Sequence, residues 1–308
     1  MTMRANERIA YHNGEYLPES RVLLPFRDRG FVYGDAVFET TRTFEHRLFK
    51  VKEHVERLYR SLRYVRLDPG VTPGELCAVT EEVFERNRHL LGSDEDYWVS
   101  QRISRGVTRV DREEPVQTGP TVIVECTPLP VRERASLYRD GIRVVVPAMR
   151  RTPPEALTPR AKTTNYLNLL VADREVTAID PGAWAVLLDT NGHLAEGHGS
   201  NLFLVQGGEL VTPRSHYVLP GISRQTVMEL AAGLGVPCRE ADLDLYDAYN
   251  ADEAFLTSTS LCVCPVRSVN GMRIGGEAVF GPVTQRVIDA YVRLVGCDFV
   301  AQYLKHLG

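Results

Sequence analysis

No stretch of this 308-residue chain approaches the roughly 20 consecutive apolar residues that a membrane-spanning helix needs. The first residues, Met1-Thr2-Met3-Arg4-Ala5-Asn6-Glu7-Arg8, lack the apolar core of a secretory signal. The chain also lacks a basic excess. Its formal net charge is −4, its pI about 6.1, and its arginines are dispersed. That excludes a global electrostatic footprint for nucleic acid. Cysteine is sparse, with six residues at 77, 126, 238, 262, 264 and 297. Cys262-Val263-Cys264 puts two thiols on one face of a strand, but no Cys or His pair follows at zinc spacing, so no metal is expected. Buried reduced thiols in a cytoplasmic, reducing compartment fit this usage. There is no internal repeat, low-complexity tract or heptad run.

The scarcest informative residue is lysine. Of 36 basic residues only four are lysines, at 50, 52, 162 and 305. Lys162 lies in Ala161-Lys162-Thr163-Thr164-Asn165-Tyr166-Leu167, between a proline-rich loop and an apolar helical pattern. An arginine-rich chain that keeps a lysine here points to an amine that can lose its proton, which a guanidinium does not do. Schiff-base formation with a carbonyl is the chemistry that needs such an amine.

What is present reads as a large globular protein, with 44% apolar and 25% charged residues. Asn13-Gly14 between short apolar runs predicts a hairpin. Leu48–Val51 is expected to be a strand. Val55, Leu58, Leu62 and Val65 fall at helical spacing, and a second helix is expected from Pro73 to Leu91. Strands are expected over 97–103 and 121–126. Thr127-Pro128-Leu129-Pro130 reads as a stiff linker. This gives a small N-terminal domain over 1–127, a linker over 128–138 and a larger C-terminal domain over 139–308. In the second part the pattern predicts a strand at 142–146, a proline-rich loop over 150–160 and a helix over 165–176. A meander to 212 and a helix from Ser223 to Leu234 follow. Further strands at 254–257 and 263–269 precede a last helix from Pro282 to about Val295.

Three segments match what Lys162 needs. In Leu194-Ala195-Glu196-Gly197-His198-Gly199-Ser200-Asn201, a carboxylate precedes two glycines. It is either a plain turn or an acidic group set close to a ligand. Gly221-Ile222-Ser223-Arg224 leads into a helix, where Ser223 is either a cap or part of a phosphate site. Thr257-Ser258-Thr259-Ser260 ends an apolar strand with four hydroxyls, an ordinary turn or a cradle for phosphate oxygens. A Schiff-base amine, a carboxylate and a phosphate anchor are together what pyridoxal 5′-phosphate demands.

In order and wording these motifs resemble the class IV (fold type IV) pyridoxal-phosphate-dependent aminotransferases. The resemblance runs from Asp28-Arg29-Gly30-Phe31-Val32-Tyr33-Gly34-Asp35 and Glu53-His54-Val55-Glu56-Arg57-Leu58 through the Lys162 and Glu196 segments to Pro265-Val266-Arg267-Ser268-Val269-Asn270-Gly271. It implies a two-domain α/β fold, with a smaller N-terminal α/β domain and a larger strand-rich C-terminal domain carrying helices. It implies that Lys162 is the Schiff-base and proton-shuttling lysine and that Glu196 partners the pyridine nitrogen. Arg57, Ile222, Ser223 and Thr259 become phosphate contacts, and Tyr166 a partner of the cofactor's phenolic oxygen. It also implies a homodimer acting on an amino donor and a 2-oxo acid acceptor in a ping-pong transamination.

The second half, with Tyr33 and Phe38 as apolar pocket walls, leans towards the branched-chain amino acid group. Trp98 and Ser100 stand where that group carries a Tyr-x-Arg stretch. Thr40 replaces a usual glycine, and the turn at Ser260 is bulkier than its counterpart. Arg105, Arg109 and Arg112 crowd a following loop, with Arg109 a candidate for the substrate carboxylate. A D-amino acid or (R)-amine transaminase, or an aminodeoxychorismate-type lyase, are the alternatives these departures raise.

Overall fold

The computed structural model describes residues 7–111 and 114–307, without the side chains of 109–111 and 114–117. The chain separates into two compact units. The first comprises Met1–Leu129 and Ala161–Asn165, the second Pro130–Arg160 and Tyr166–Gly308.

The first unit is built on strands β1 (Ile9–His12), β2 (Glu15–Pro18), β3 (Ala36–Phe44), β4 (Arg47–Leu48), β5 (Tyr97–Ser104) and β8 (Thr121–Pro128). They form an antiparallel sheet in the order β2-β1-β8-β5-β3-β4. Asn13 (φ 48°) and Gly14 (φ 98°) make the expected turn, since both central residues of such a hairpin need positive φ. β6 (Thr108–Asp111) and β7 (Glu114–Gln117) pair as a separate hairpin. Helix α1 (Arg29–Tyr33) is short; α2 (Val51–Tyr64) and α3 (Pro73–Asn87) cover one sheet face. Their buried Val55, Leu58, Leu62, Leu76, Val83 and Phe84 pack on Val37, Val99, Ile103, Val122 and Val124. Each such side chain contributes about 1.5–3 kcal/mol by leaving water. A capping box at Thr72 and Glu75, with Pro73 in the first turn, sets where α3 begins.

The second unit contains α4 (Val131–Asp140), β9 (Ile142–Val145), α5 (Leu167–Ile179), β10 (Trp184–Leu188), β11 (Leu194–Gly197), β12 (Asn201–Gln206) and β13 (Glu209–Pro213). Then come α6 (Ile222–Gly233), β14 (Cys238–Ala241), α7 (Leu245–Tyr249), β15 (Glu253–Ser258), β16 (Cys262–Val269), β17 (Met272–Arg273), α8 (Pro282–Val295) and α9 (Phe299–Leu304). The sheet order is β11-β10-β9-β16-β15-β12-β13-β14, with β17 on β16. An additional β11–β12 pairing closes six of these strands into a ring and leaves fewer open edges.

Three expectations need correction. The strand expected over Leu48–Val51 already ends at Leu48, the last residue of β4: Lys50 turns into the left-handed region at φ 51°, and α2 starts at Val51. The helix over 73–91 ends at Asn87 and tightens into a 3₁₀ turn at Arg88–Leu90. The stretch read as linker over 128–138 is mostly helix α4, because Val131, Ala135 and Tyr138 form a buried apolar row.

Candidate active site

Lys162 belongs to the first unit although it lies far along the chain. Its backbone is pinned at both polar groups. The amide donates to Ser61 Oγ at 3.0 Å, and the carbonyl accepts from Phe38 N–H at 3.0 Å. Thr163 bridges to Val37 and Thr164 N–H donates to Ala36 O, so residues 161–165 run along the start of β3. The Lys162 Nζ lies 4.3 Å from the centroid of the Phe38 ring. A ring face attracts an ammonium and gives a flexible side chain a preferred place.

Beneath this lysine, α2 buries a polar row, His54, Arg57 and Ser61, beside its apolar one. Helical spacing puts these residues on one face. Glu39 of β3, fully buried, answers them: Arg57 Nε donates to Oε2 at 2.7 Å, Arg57 Nη2 to Oε1 at 2.6 Å, and His54 Nδ1 lies 3.0 Å from Oε1. Burial pushes the Glu39 carboxyl up, but the charges of Arg57 and His54 outweigh it and hold it well below the usual carboxylate range. Burial pushes His54 below its ordinary value; Glu39 opposes this, while Arg57 and Lys162 add to it. Arg57, expected at a phosphate, thus has two guanidinium nitrogens fixed by a carboxylate. Glu39 and His54 were missed by sequence reading. The signal was present: Glu39 occupies the core-facing parity of β3 with Val37 and Thr41, and a charge there needs a buried partner.

Glu196 sits on β11 in the second unit, directly across from Asn201 on β12, and is 5% exposed. Its Oε1 accepts from Arg151 Nε at 3.0 Å, and its Oε2 from Leu219 N–H at 2.8 Å and Asn201 Nδ2 at 3.3 Å. It is a buried, oriented carboxylate and not an exposed turn residue. Gly197 is required by packing, since a Cβ there would lie 2.7 Å from Ala185 O and 2.6 Å from Ser200 Oγ. Arg151 and Asn201 are further residues that sequence reading missed. Arg151 carries no local signal, being one arginine among many in a proline-rich loop.

At the start of α6, Gln225 N–H makes the first helical bond, to Gly221 O. The N–H groups of residues 222–224 therefore face past the helix end. Ser223 is buried there, and no side-chain cap closes the turn. A Cβ on Gly221 would lie 2.1 Å from Asn201 Oδ1, so this glycine lets the helix start approach the Glu196–Asn201 pair. Thr259 and Ser260 occupy the turn after β15. Arg134 of α4 donates to the Ser260 hydroxyl, Tyr303 to Ser260 O at 2.8 Å, and Tyr138 to Leu261 O, so the turn is held from three sides. Tyr166, which caps α5, has its ring 5.5 Å from that of His198, and His198 pairs with Asp173.

The residues expected around the substrate separate. Phe38 and Thr40 alternate along β3 opposite Arg102 and Ser100 of β5, with Trp98 two residues before Ser100. These share the sheet face that α2 and α3 do not cover. Thr40 Oγ1 and Ser100 Oγ are 3.0 Å apart. Tyr33 is not among them: it ends α1, 67% exposed and stacked by Arg29. Arg105 pairs with Asp35 and donates to the carbonyls of Val65 and Arg66, a structural staple. Arg109 lies on β6 with its side chain outside the described residues, and Arg112 falls outside them altogether.

A family model described as amino-transferase class IV matches residues 36–269. A putative branched-chain-amino-acid aminotransferase of Methanocaldococcus jannaschii is 33% identical over 284 residues, covering 91% of this chain and 94% of that one. The structure of the Escherichia coli branched-chain amino acid aminotransferase aligns with a TM-score of 0.84 at 29% identity, over 94% of this chain and 95% of that one. The branched-chain amino acid aminotransferase of Thermobaculum terrenum, in its PLP-bound holo form, aligns with a TM-score of 0.81 at 25% identity, over 98% of each chain.

Proposed function

The chain belongs to the class IV aminotransferases, and from that membership we propose that it moves an amino group between a branched-chain L-amino acid and a 2-oxo acid, with pyridoxal 5′-phosphate as cofactor. The observation that carries the reading is Glu196: a buried carboxylate accepting three N–H donors, on the strand next to a glycine-started helix. The donor set suits that cofactor. A fixed carboxylate is what a protonated pyridine nitrogen needs, and the α6 start offers N–H groups and the Ser223 hydroxyl to a phosphate.

When bound, the cofactor supplies an electron sink for the charge that develops at the substrate's α-carbon. Lys162 would hold it through Nζ, and that amine, once freed by the amino donor, would serve as the base that takes the substrate's α-proton and the acid that gives it back. Its pinned backbone fixes where that amine acts from. Glu196, oriented by Arg151, Asn201 and the Leu219 amide, would keep a proton on the ring nitrogen. Arg57, set by Glu39 and His54, would hold the phosphate together with Ile222, Ser223 and Thr259, and Tyr166 would bond the phenolic oxygen. Phe38, Thr40, Trp98 and Ser100 face the substrate side chain. Cysteine usage supports a cytoplasmic setting, and the exposed apolar residues Leu23, Leu24, Phe26, Phe31, Val32 and Tyr33 support a homodimer.

The test is turnover of the reconstituted enzyme with L-leucine and 2-oxoglutarate, following glutamate and 4-methyl-2-oxopentanoate. D-alanine or (R)-1-phenylethylamine as the preferred donor would overturn the substrate assignment, and pyruvate release from aminodeoxychorismate would overturn the reaction type. Lys162→Ala is expected to lose the visible absorption of the lysine-bound cofactor and to cut turnover by at least about 10³-fold. A variant that kept both would refute Lys162 as the attachment point.

A further inference from the structure

Cys262, the first residue of β16, holds φ 56°. A side chain with a Cβ is disfavoured in that left-handed region, which glycine enters freely. Among the described residues, the other non-glycine residues with positive φ are all at least partly exposed, whereas Cys262 is buried. It pairs with Ser258 of β15, so Thr259, Ser260 and Leu261 form a three-residue loop. Hairpin loops of this length use a left-handed residue near their end, commonly glycine. This loop therefore keeps its form against a local preference, and its surroundings must supply the difference.

Two helices of the same unit do so. Tyr303 of α9 donates to Ser260 O at 2.8 Å, Tyr138 of α4 to Leu261 O, and Arg134 of α4 to the Ser260 hydroxyl. The two tyrosine rings lie 4.8 Å apart, and Phe299 of α9 meets Tyr138 at 6.2 Å. The Arg134 guanidinium carbon is 5.6 Å from the Trp184 ring centroid. Tyr138, Phe299 and Tyr303 are fully buried, so close packing fixes where each phenol oxygen stands. Inside the loop, Leu261 N–H donates to Ser258 Oγ at 3.0 Å. Ser260 and Leu261 are buried, while Thr259, which the functional reading gives to the phosphate, stays partly exposed.

We propose that α9 and α4 brace this loop: Tyr303, Tyr138 and Arg134 hold it, against the preference of Cys262, in the form that presents Thr259 to the cofactor's phosphate. This rests on the functional reading above and adds three positioning residues, which act through the loop and not on the reacting atoms. The brace and the left-handed residue are two parts of one device. A loop that favoured its own form would need no brace, and a brace around such a loop would have no effect on cofactor affinity. The consequence is a coupling between Tyr303 and Cys262 that reads out in cofactor binding.

The experiment measures the dissociation constant of pyridoxal 5′-phosphate by equilibrium dialysis against the full-length apoprotein. It compares wild type, Tyr303→Phe, Tyr138→Phe, Cys262→Gly and the double variant of Cys262→Gly with Tyr303→Phe. Tyr303→Phe, which removes one buried hydrogen bond to the loop, is expected to raise the constant about 3- to 10-fold. In the Cys262→Gly background the same change raises it at most about 2-fold, because glycine takes the left-handed form unaided. Tyr138→Phe repeats the test through Leu261 O and decides the matter if Tyr303→Phe does not fold. Unchanged constants in both tyrosine variants, or a Tyr303→Phe effect just as large beside Cys262→Gly, would overturn the inference and leave the functional reading standing. Wild-type protein that bound no pyridoxal 5′-phosphate would overturn the functional reading, and this inference with it.

Discussion

Glu39 and His54 show how a single buried charge propagates. Arg57 enters the interior only because Glu39 meets it with two hydrogen bonds, and His54 completes the carboxylate's coordination. The sign of the pH dependence follows. Above the ordinary histidine value of 6.5, His54 is neutral in both folded and unfolded chains and contributes no slope. Below it, the unfolded chain takes up a proton that the folded chain resists, so stability falls with pH, by at most about 1.4 kcal/mol per unit. Glu39 acts the same way in the next window: its depressed value means that stability present above its ordinary 4.5 is lost as pH drops further. His54→Gln is expected to flatten the change in denaturation midpoint between pH 7 and 5. A slope equal to that of the wild type would show that His54 does not titrate as argued. Part of the candidate site was legible: Lys162, Glu196 and Arg57 stood out by type and motif. Arg151 and Asn201 did not, because a loop arginine and a turn asparagine have no periodicity to betray what they touch.

Among the elements, α8 is the clearest case of a helix start fixed from afar. Glu253 at the beginning of β15 accepts from the Val283 and Thr284 N–H groups at 2.8 and 2.7 Å. A buried carboxylate at a helix N-terminus satisfies two end groups and matches the helix dipole. Gly281 is forced by the same contact, since a Cβ there would fall 2.1 Å from Glu253 Cδ. Gly281→Ala is expected to cost about 1–3 kcal/mol and Glu253→Ala about 2–3 kcal/mol in urea unfolding. The double variant should cost clearly less than the sum, because the first change removes what the second collides with. Strict additivity would show that the two residues are uncoupled. Pro282 announced this helix in the sequence, whereas at α4 the preceding Pro128 and Pro130 signalled a linker and masked the helical spacing of the buried Val131, Ala135 and Tyr138.

For the whole molecule, the exposed apolar run at residues 23–33 is the feature that a monomer leaves unexplained. Phe31→Glu is expected to shift sedimentation from dimer towards monomer while the circular dichroism of the fold persists. Wild-type enzyme sedimenting as a monomer would refute the assembly.

The sequence by itself determined the family and singled out Lys162 and Glu196 as the candidate amine and carboxylate, because reactive groups are chosen by chemical type and their motifs are local and ordered. It also determined most strands and helices, since alternation and 3.6-residue spacing are properties of short segments. Only the tertiary structure decided what holds those groups. Lys162 lies in a short segment, Ala161–Asn165, that joins a unit otherwise made of Met1–Leu129, Glu196 is oriented by an arginine 45 residues away, and Arg102 and Lys162 lie against the same Phe38 ring. Such contacts arise from sheet register and loop closure, which bring together residues whose spacing along the chain carries no trace of their meeting.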